Sequence, residues 1–115
     1  MTRSPITTHV LDTTLGKPAA GVPITLEYQE PGGWATLGAG KTDDDGRIAN
    51  LLDPSFVLAP GRYRMTFDTL AYFRAIGTEG FYPVVTVVFD LAAPGQHYHI
   101  PLLLSPFGYS TYRGS

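Results

Sequence analysis

Residues 22–28 alternate without a break: Val22, Ile24, Leu26 and Tyr28 are apolar, and Pro23, Thr25 and Glu27 stand between them. A period of two sends successive side chains to opposite faces of an extended strand, so this segment specifies a strand with one buried face. Tyr63, Met65 and Phe67 repeat the pattern, with Arg62 and Arg64 turned outward. Residues 6–11 read as a first strand, with Ile6, Thr8 and Val10 on one face and Thr7, His9 and Leu11 on the other. Thirteen glycines and ten prolines in 115 residues punctuate the chain closely. Such turn chemistry favours many short strands over long helices.

The remaining segments fit that reading. Residues 15–21 form a turn, and Pro23 marks a strand start or an edge position. Residues 34–37 read as a short strand. Residues 42–47 form a hairpin-type connection reversed at Asp45-Gly46, with Arg47 entering a strand that carries Ile48, Ala49 and Leu51. Asp68 is positioned to N-cap one short helix whose Leu70, Phe73 and Ile76 share a face, closed by Gly77. Residues 84–91, rich in β-branched side chains, read as a central strand. Residues 97–104 and 109–113 complete the set. Seven to eight strands and one helix predict an all-β sandwich, with residues 1–115 forming a single domain.

Composition excludes several functions. A net charge of −2 provides no footprint for nucleic acid or an anionic membrane. The absence of cysteine removes disulfides, thiol nucleophiles and cysteine-held metals. No apolar run approaches the roughly 20 residues of a membrane span. Residues 1–5 lack the apolar core of a signal peptide, so the expected location is the cytoplasm.

Candidate chemistry gathers on three histidines and one arginine. His97 and His99 are two apart on a strand and share a face, and His9 lies in the first strand. A three-histidine zinc site and ordinary solvent-facing histidines are both compatible with this spacing. Arg47 is either a surface cation paired to one of Asp43, Asp44 and Asp45 or a guanidinium fork for a planar, oxygen-rich ligand. The triple aspartate lacks the ligand spacing of an EF-hand and reads as a solvated turn. There is no nucleophile elbow, phosphate loop or dinucleotide fingerprint.

Several motifs together resemble the transthyretin-related proteins, and specifically their 5-hydroxyisourate hydrolase branch. They are Ile6-Thr7-Thr8-His9-Val10-Leu11-Asp12, Gly16-Lys17-Pro18-Ala19, Thr42-Asp43-Asp44-Asp45-Gly46-Arg47, and the long ending from His97 to Ser115. The closing Tyr112-Arg113-Gly114-Ser115 is the most specific part, and the likeness covers nearly the whole chain. It implies a transthyretin-like (prealbumin-like) eight-stranded Greek-key β-sandwich with one short helix, assembled as a homotetramer with sites at the dimer–dimer interface. The implied activity is hydrolysis of 5-hydroxyisourate in urate degradation, without metal or organic cofactor. The implied catalytic residues are His9, Arg47 and His99. Tyr112, Arg113 and Ser115 join His9 and Arg47 in binding substrate, and His97 is peripheral.

The alternative within the same resemblance is a carrier like transthyretin, which has lysine, glutamate and threonine at the positions of His9, Arg47 and His99 and continues past Ser115. A structural module of a cell-surface protein is a third reading, and it requires none of these residues. A channel between subunits calls for apolar strand faces beyond the core, for which Leu102, Leu104, Tyr109 and Thr111 are the expected residues.

Overall fold

Two-residue alternation builds both sheets. The computed structural model describes residues 4–92 and 95–114. Among these residues the order is β1 (Ile6–Asp12), β2 (Lys17–Pro18), β3 (Pro23–Glu30), β4 (Gly33–Lys41), β5 (Gly61–Phe67), α1 (Thr69–Ala75), β6 (Val85–Leu91), β7 (Tyr98–Ser105) and β8 (Gly108–Thr111). The strands form two four-stranded sheets, β2-β1-β7-β8 and β4-β3-β5-β6. All pairings are antiparallel except β1 with β7, which run parallel with Thr7 opposite His99 and His9 opposite Pro101.

The core lies between the sheets. Ile6, Val10, Ile100, Leu102 and Leu104 meet Ile24, Leu26, Tyr63, Met65, Phe67 and Val85 in one buried cluster. Each such side chain contributes about 1.5–3 kcal/mol by leaving water. The alternation expected for β1, β3 and β5 is therefore the observed one. Arg64 and Arg62 point outward and pair with Glu27 at 2.6 Å and Asp90 at 2.8 Å. The Arg64 guanidinium, hydrogen-bonded to Glu27, holds that carboxyl below its ordinary value.

Helix α1 begins where expected: the Asp68 side chain accepts the Ala71 amide, and Gly77 turns left-handed with φ 69°. Its buried face is Thr69, Tyr72 and Phe73, whereas Leu70 and Ile76 of the expected stripe are exposed. The reason lies in β1. The Tyr72 hydroxyl donates to buried Asp12 Oδ2 at 2.6 Å, while Asp12 Oδ1 accepts the amides of Thr14 and Leu15. That bond rotates the helix toward the end of the strand that carries His9.

Three other expectations change. Among the described residues β6 pairs only with β5 and is an edge strand; its Thr86, Val88 and Asp90 face outward, so its β-branched run reflects one packed face rather than a central position. Residues 48–52 form no strand: after an isolated bridge at Arg47 the chain turns, and Ile48, Leu51 and Leu52 plug one end of the core. Leu102 and Leu104 are 0% and 1% exposed, already consumed by the protomer's own core. On the face that β7 turns away from the core, Leu103 is half-buried while Pro101 is already buried within the protomer.

Candidate active site

Because β1 buries Ile6, Thr8, Val10 and Asp12, it presents Thr7, His9 and Leu11 on the outer face of its sheet. The parallel register sets β7 beside it so that His99 lies one pair along from His9 on that same face. Strand spacing and rise put the two backbones roughly 8 Å apart.

Arg47 reaches the other edge of β1 through a backbone device. It forms an isolated antiparallel bridge with His9, which places both side chains on one face. The acidic turn before it is closed by its own groups: Asp43 Oδ1 accepts the amides of Asp45 at 2.9 Å and Arg47 at 3.1 Å. The Gly46 carbonyl accepts the Val10 amide at 2.8 Å. Gly46 has φ 75°, and a Cβ there would run into the Val10 carbonyl oxygen and stand 3.3 Å from His9 Cδ2. Asp43 thus serves the loop backbone. Among the described residues, the Arg47 guanidinium and the His9 imidazole make no hydrogen bond or ion pair of their own, which removes the surface-pair reading of Arg47.

The C-terminal segment closes the opposite side. Thr111 pairs with Leu102, and the same register continues to a bridge between Gly114 and His99, with the Gly114 amide donating to the His99 carbonyl at 2.8 Å. Tyr112 therefore falls opposite Pro101, on the histidine face. Arg47, His9, Pro101 and Tyr112 form one cross-strand row, and Thr7, His99 and Gly114 form the next. By the same register Arg113 falls on the other face. Its guanidinium lies 5.0 Å from the Tyr98 ring centroid and donates to Gln96 Oε1 at 3.1 Å. Ser115 lies outside the described residues.

His97 is not isolated. Thr7 Oγ1 lies 2.9 Å from His97 Nε2 and 2.8 Å from His99 Nδ1. Sequence reasoning missed this convergence, although Thr7 and His9 at a spacing of two signalled a shared face. Among the described residues, no three of His, Asp and Glu come together in a metal-holding geometry. A cleft of about 230 Å³ opens between the edges of β6 and β8, lined by Val87, Phe89, Tyr98 and Ile100 together with the candidate residues His99, Tyr112 and Arg113. Most of that lining belongs to core-facing sides, and neither His9 nor Arg47 is part of it.

The arrangement has two imidazoles on one rigid sheet face, a guanidinium beside the first, and a tyrosine across the row. Such a face can hold a water for attack on a carbonyl and meet the negative charge that develops.

Comparison with known proteins places the chain in a family. The solved structure of a 5-hydroxyisourate hydrolase from Klebsiella pneumoniae matches with a TM-score of 0.83 and 36% identity, covering all of both chains. Sea bream transthyretin in complex with thyroxine matches with a TM-score of 0.87 and 38% identity over 96% of this chain and 95% of that one. Mouse 5-hydroxyisourate hydrolase is 48% identical over 114 residues, 97% of this chain and 96% of the mouse protein. The fold is thus the transthyretin-like β-sandwich. The HIUase/Transthyretin family profile matches residues 6–114, and the chain belongs to that family.

Proposed function

We propose that the protein is a hydrolase that opens the six-membered ring of 5-hydroxyisourate at an amide bond, giving 2-oxo-4-hydroxy-4-carboxy-5-ureidoimidazoline in urate degradation. The observation that carries this reading is the row Arg47–His9–Pro101 with His99 on the same face; the β7/β8 register, extended past Thr111, continues it to Tyr112. The relatives named 5-hydroxyisourate hydrolase support it over nearly the full length.

In the proposed mechanism His9 and His99 hold the attacking water. One imidazole takes its proton as the oxygen bonds to the ring carbonyl carbon, since histidine titrates near neutral pH. The Arg47 guanidinium meets the charge that gathers on the carbonyl oxygen. Return of the proton to the departing nitrogen breaks the C–N bond and leaves a carboxylic acid, which releases its own proton to solvent as it ionises. Tyr112 belongs to the proposed binding set by its place in the row, and Ser115 and Arg113 through the family resemblance alone, Arg113 lying on the other face of this protomer against Tyr98. The reading uses no metal or organic cofactor.

We also read residues 1–115 as one domain, because a single core cluster joins both sheets. The proposed assembly is a homotetramer whose sites lie between dimers. The outer face of one sheet supplies only one wall, whereas small-molecule sites bury most of their ligand. A second copy would supply the other wall, covering the half-buried Leu11 and Leu103. The proposed location is the cytoplasm, in keeping with a fold that uses no disulfide.

Following the ultraviolet decay of freshly generated 5-hydroxyisourate, with and without protein, tests the activity. Binding of an aromatic ligand such as thyroxine without any acceleration of that decay would favour the carrier reading instead. Sedimentation at micromolar concentration tests the assembly, and a fully active monomer would overturn the interface site.

A further inference from the structure

We propose that Thr7 is a positioning residue that sets the tautomer and ring orientation of His99, with His97 holding the same hydroxyl from its other side. The inference rests on the reading of His99 as catalytic.

The geometry is a three-membered contact. Thr7 and His99 are register partners across the parallel β1/β7 pair, so their side chains leave adjacent backbones on one face. Thr7 Oγ1 stands 2.8 Å from His99 Nδ1 and 2.9 Å from His97 Nε2. A hydroxyl has one hydrogen and two lone pairs. It can donate to only one of two ring nitrogens, so the other must bring its own hydrogen and donate to the oxygen.

Two neutral arrangements direct the hydroxyl hydrogen to one of the two rings. In the first, Thr7 donates to His97 Nε2 and accepts from His99 Nδ1–H, which makes His99 Nε2 the ring atom without a hydrogen. In the second, Thr7 donates to His99 Nδ1, and His99 Nε2 carries the hydrogen. Only the first leaves His99 able to take a proton at Nε2, the ring atom remote from Thr7. We assign the first, with His97 accepting the hydroxyl hydrogen, because the proposed mechanism needs a proton acceptor on His99. A group bonded to one ring nitrogen of a catalytic histidine decides what the other nitrogen does. Here a β-branched residue with a stiff χ1 fills that role from a strand interior.

The test uses the full chain with three substitutions. Thr7→Val keeps the shape and removes the hydroxyl. It should lower kcat by about 10–100-fold, the usual effect of losing an orienting partner, with KM nearly unchanged. Thr7→Ser restores the hydroxyl and should recover most of that loss. His97→Phe removes the competing acceptor and should lower kcat although the ring touches no substrate. Nitrogen-15 NMR of the neutral protein should find His99 with its hydrogen on Nδ1, and Thr7→Val should abolish that preference.

A wild-type His99 carrying its hydrogen on Nε2 overturns the proposal, as does a Thr7→Val enzyme with unchanged kcat or a Thr7→Ser enzyme equally impaired. Because the wild-type NMR measurement needs no variant, a misfolded Thr7→Val still leaves the proposal exposed to refutation. Full activity in His99→Asn would instead defeat the underlying site reading, whatever the tautomer. The two failures are therefore separable.

Discussion

The Gly114 amide donates to the His99 carbonyl at 2.8 Å, and a Cβ added to Gly114 would stand 2.5 Å from His99 Cδ2. Gly114 therefore lies flat against the imidazole it accompanies. Gly46 does the same for His9 from the opposite edge of the sheet, with the left-handed backbone as an added requirement. Each histidine of the face has a glycine as its neighbouring wall.

These two glycines should respond differently to alanine. Gly114→Ala meets only the His99 ring, so the ring must turn; kcat should fall while the melting temperature holds. Gly46→Ala also strains the φ 75° backbone and crowds Val10, and should cost more than about 1 kcal/mol of stability. Paired thermal melts and steady-state kinetics check both. Loss of stability in Gly114→Ala without loss of rate would contradict the packing argument.

For the groups proposed to react, His9→Asn and His99→Asn should each lower kcat by about 10²–10⁴-fold, the span of general-base assistance. Arg47→Lys keeps the charge but loses the planar fork, and should cost about 10²–10³-fold if the guanidinium meets the developing oxyanion. Circular dichroism confirms that the variants fold. Wild-type rates in His9→Asn would remove that residue from the mechanism.

Tyr72→Phe isolates the tie between helix and strand. It takes the only side-chain donor from Asp12 Oδ2 among the described residues and leaves a carboxylate 1% exposed with one oxygen unserved. Hydrogen bonds to charged groups contribute about 1.5–3 kcal/mol, and urea unfolding should report a loss of that size. Burial and the Asp12 contact raise the Tyr72 hydroxyl's pKa, so the bond persists well into alkaline pH.

Glu27 supplies a pH-dependent contribution on the opposite sheet. Its hydrogen bond to Arg64 lowers the folded pKa below the ordinary 4.5. The stabilisation is therefore complete above that value and is lost as pH falls through the lower, folded one. Glu27→Gln should be less stable than wild type at pH 7, with the gap closing below pH 4.5. A gap that widened in acid would reverse the sign of the argument.

Periodicity made β1, β3 and β5 readable before any coordinates, because one face of each is packed and the other is not. It failed at β6, where a run of β-branched residues looks alike in a central strand and in an edge whose outer face is simply bare. It failed again after Arg47, where Ile48, Leu51 and Leu52 are buried by a loop folded over the core end. The faces of His9 and His99 followed from alternation. Their adjacency did not, since the parallel register of β1 and β7 joins segments that nothing local relates. The convergence of His97 and His99 on Thr7 depends on that register too.

That pairing also governs when the site can come into being. Thr7 and His99 are 92 positions apart, and the contact between them closes almost the entire chain into a loop. Such closure carries an entropic cost that only the completed sheet repays. During synthesis β1 emerges first and waits beside a partner that has not yet been made. The sheet bearing β3, β4 and β5 can pair while the chain is still growing, but the two imidazoles become neighbours only after β7 has left the ribosome. A nascent or truncated chain can therefore have much of the sandwich and none of its chemistry.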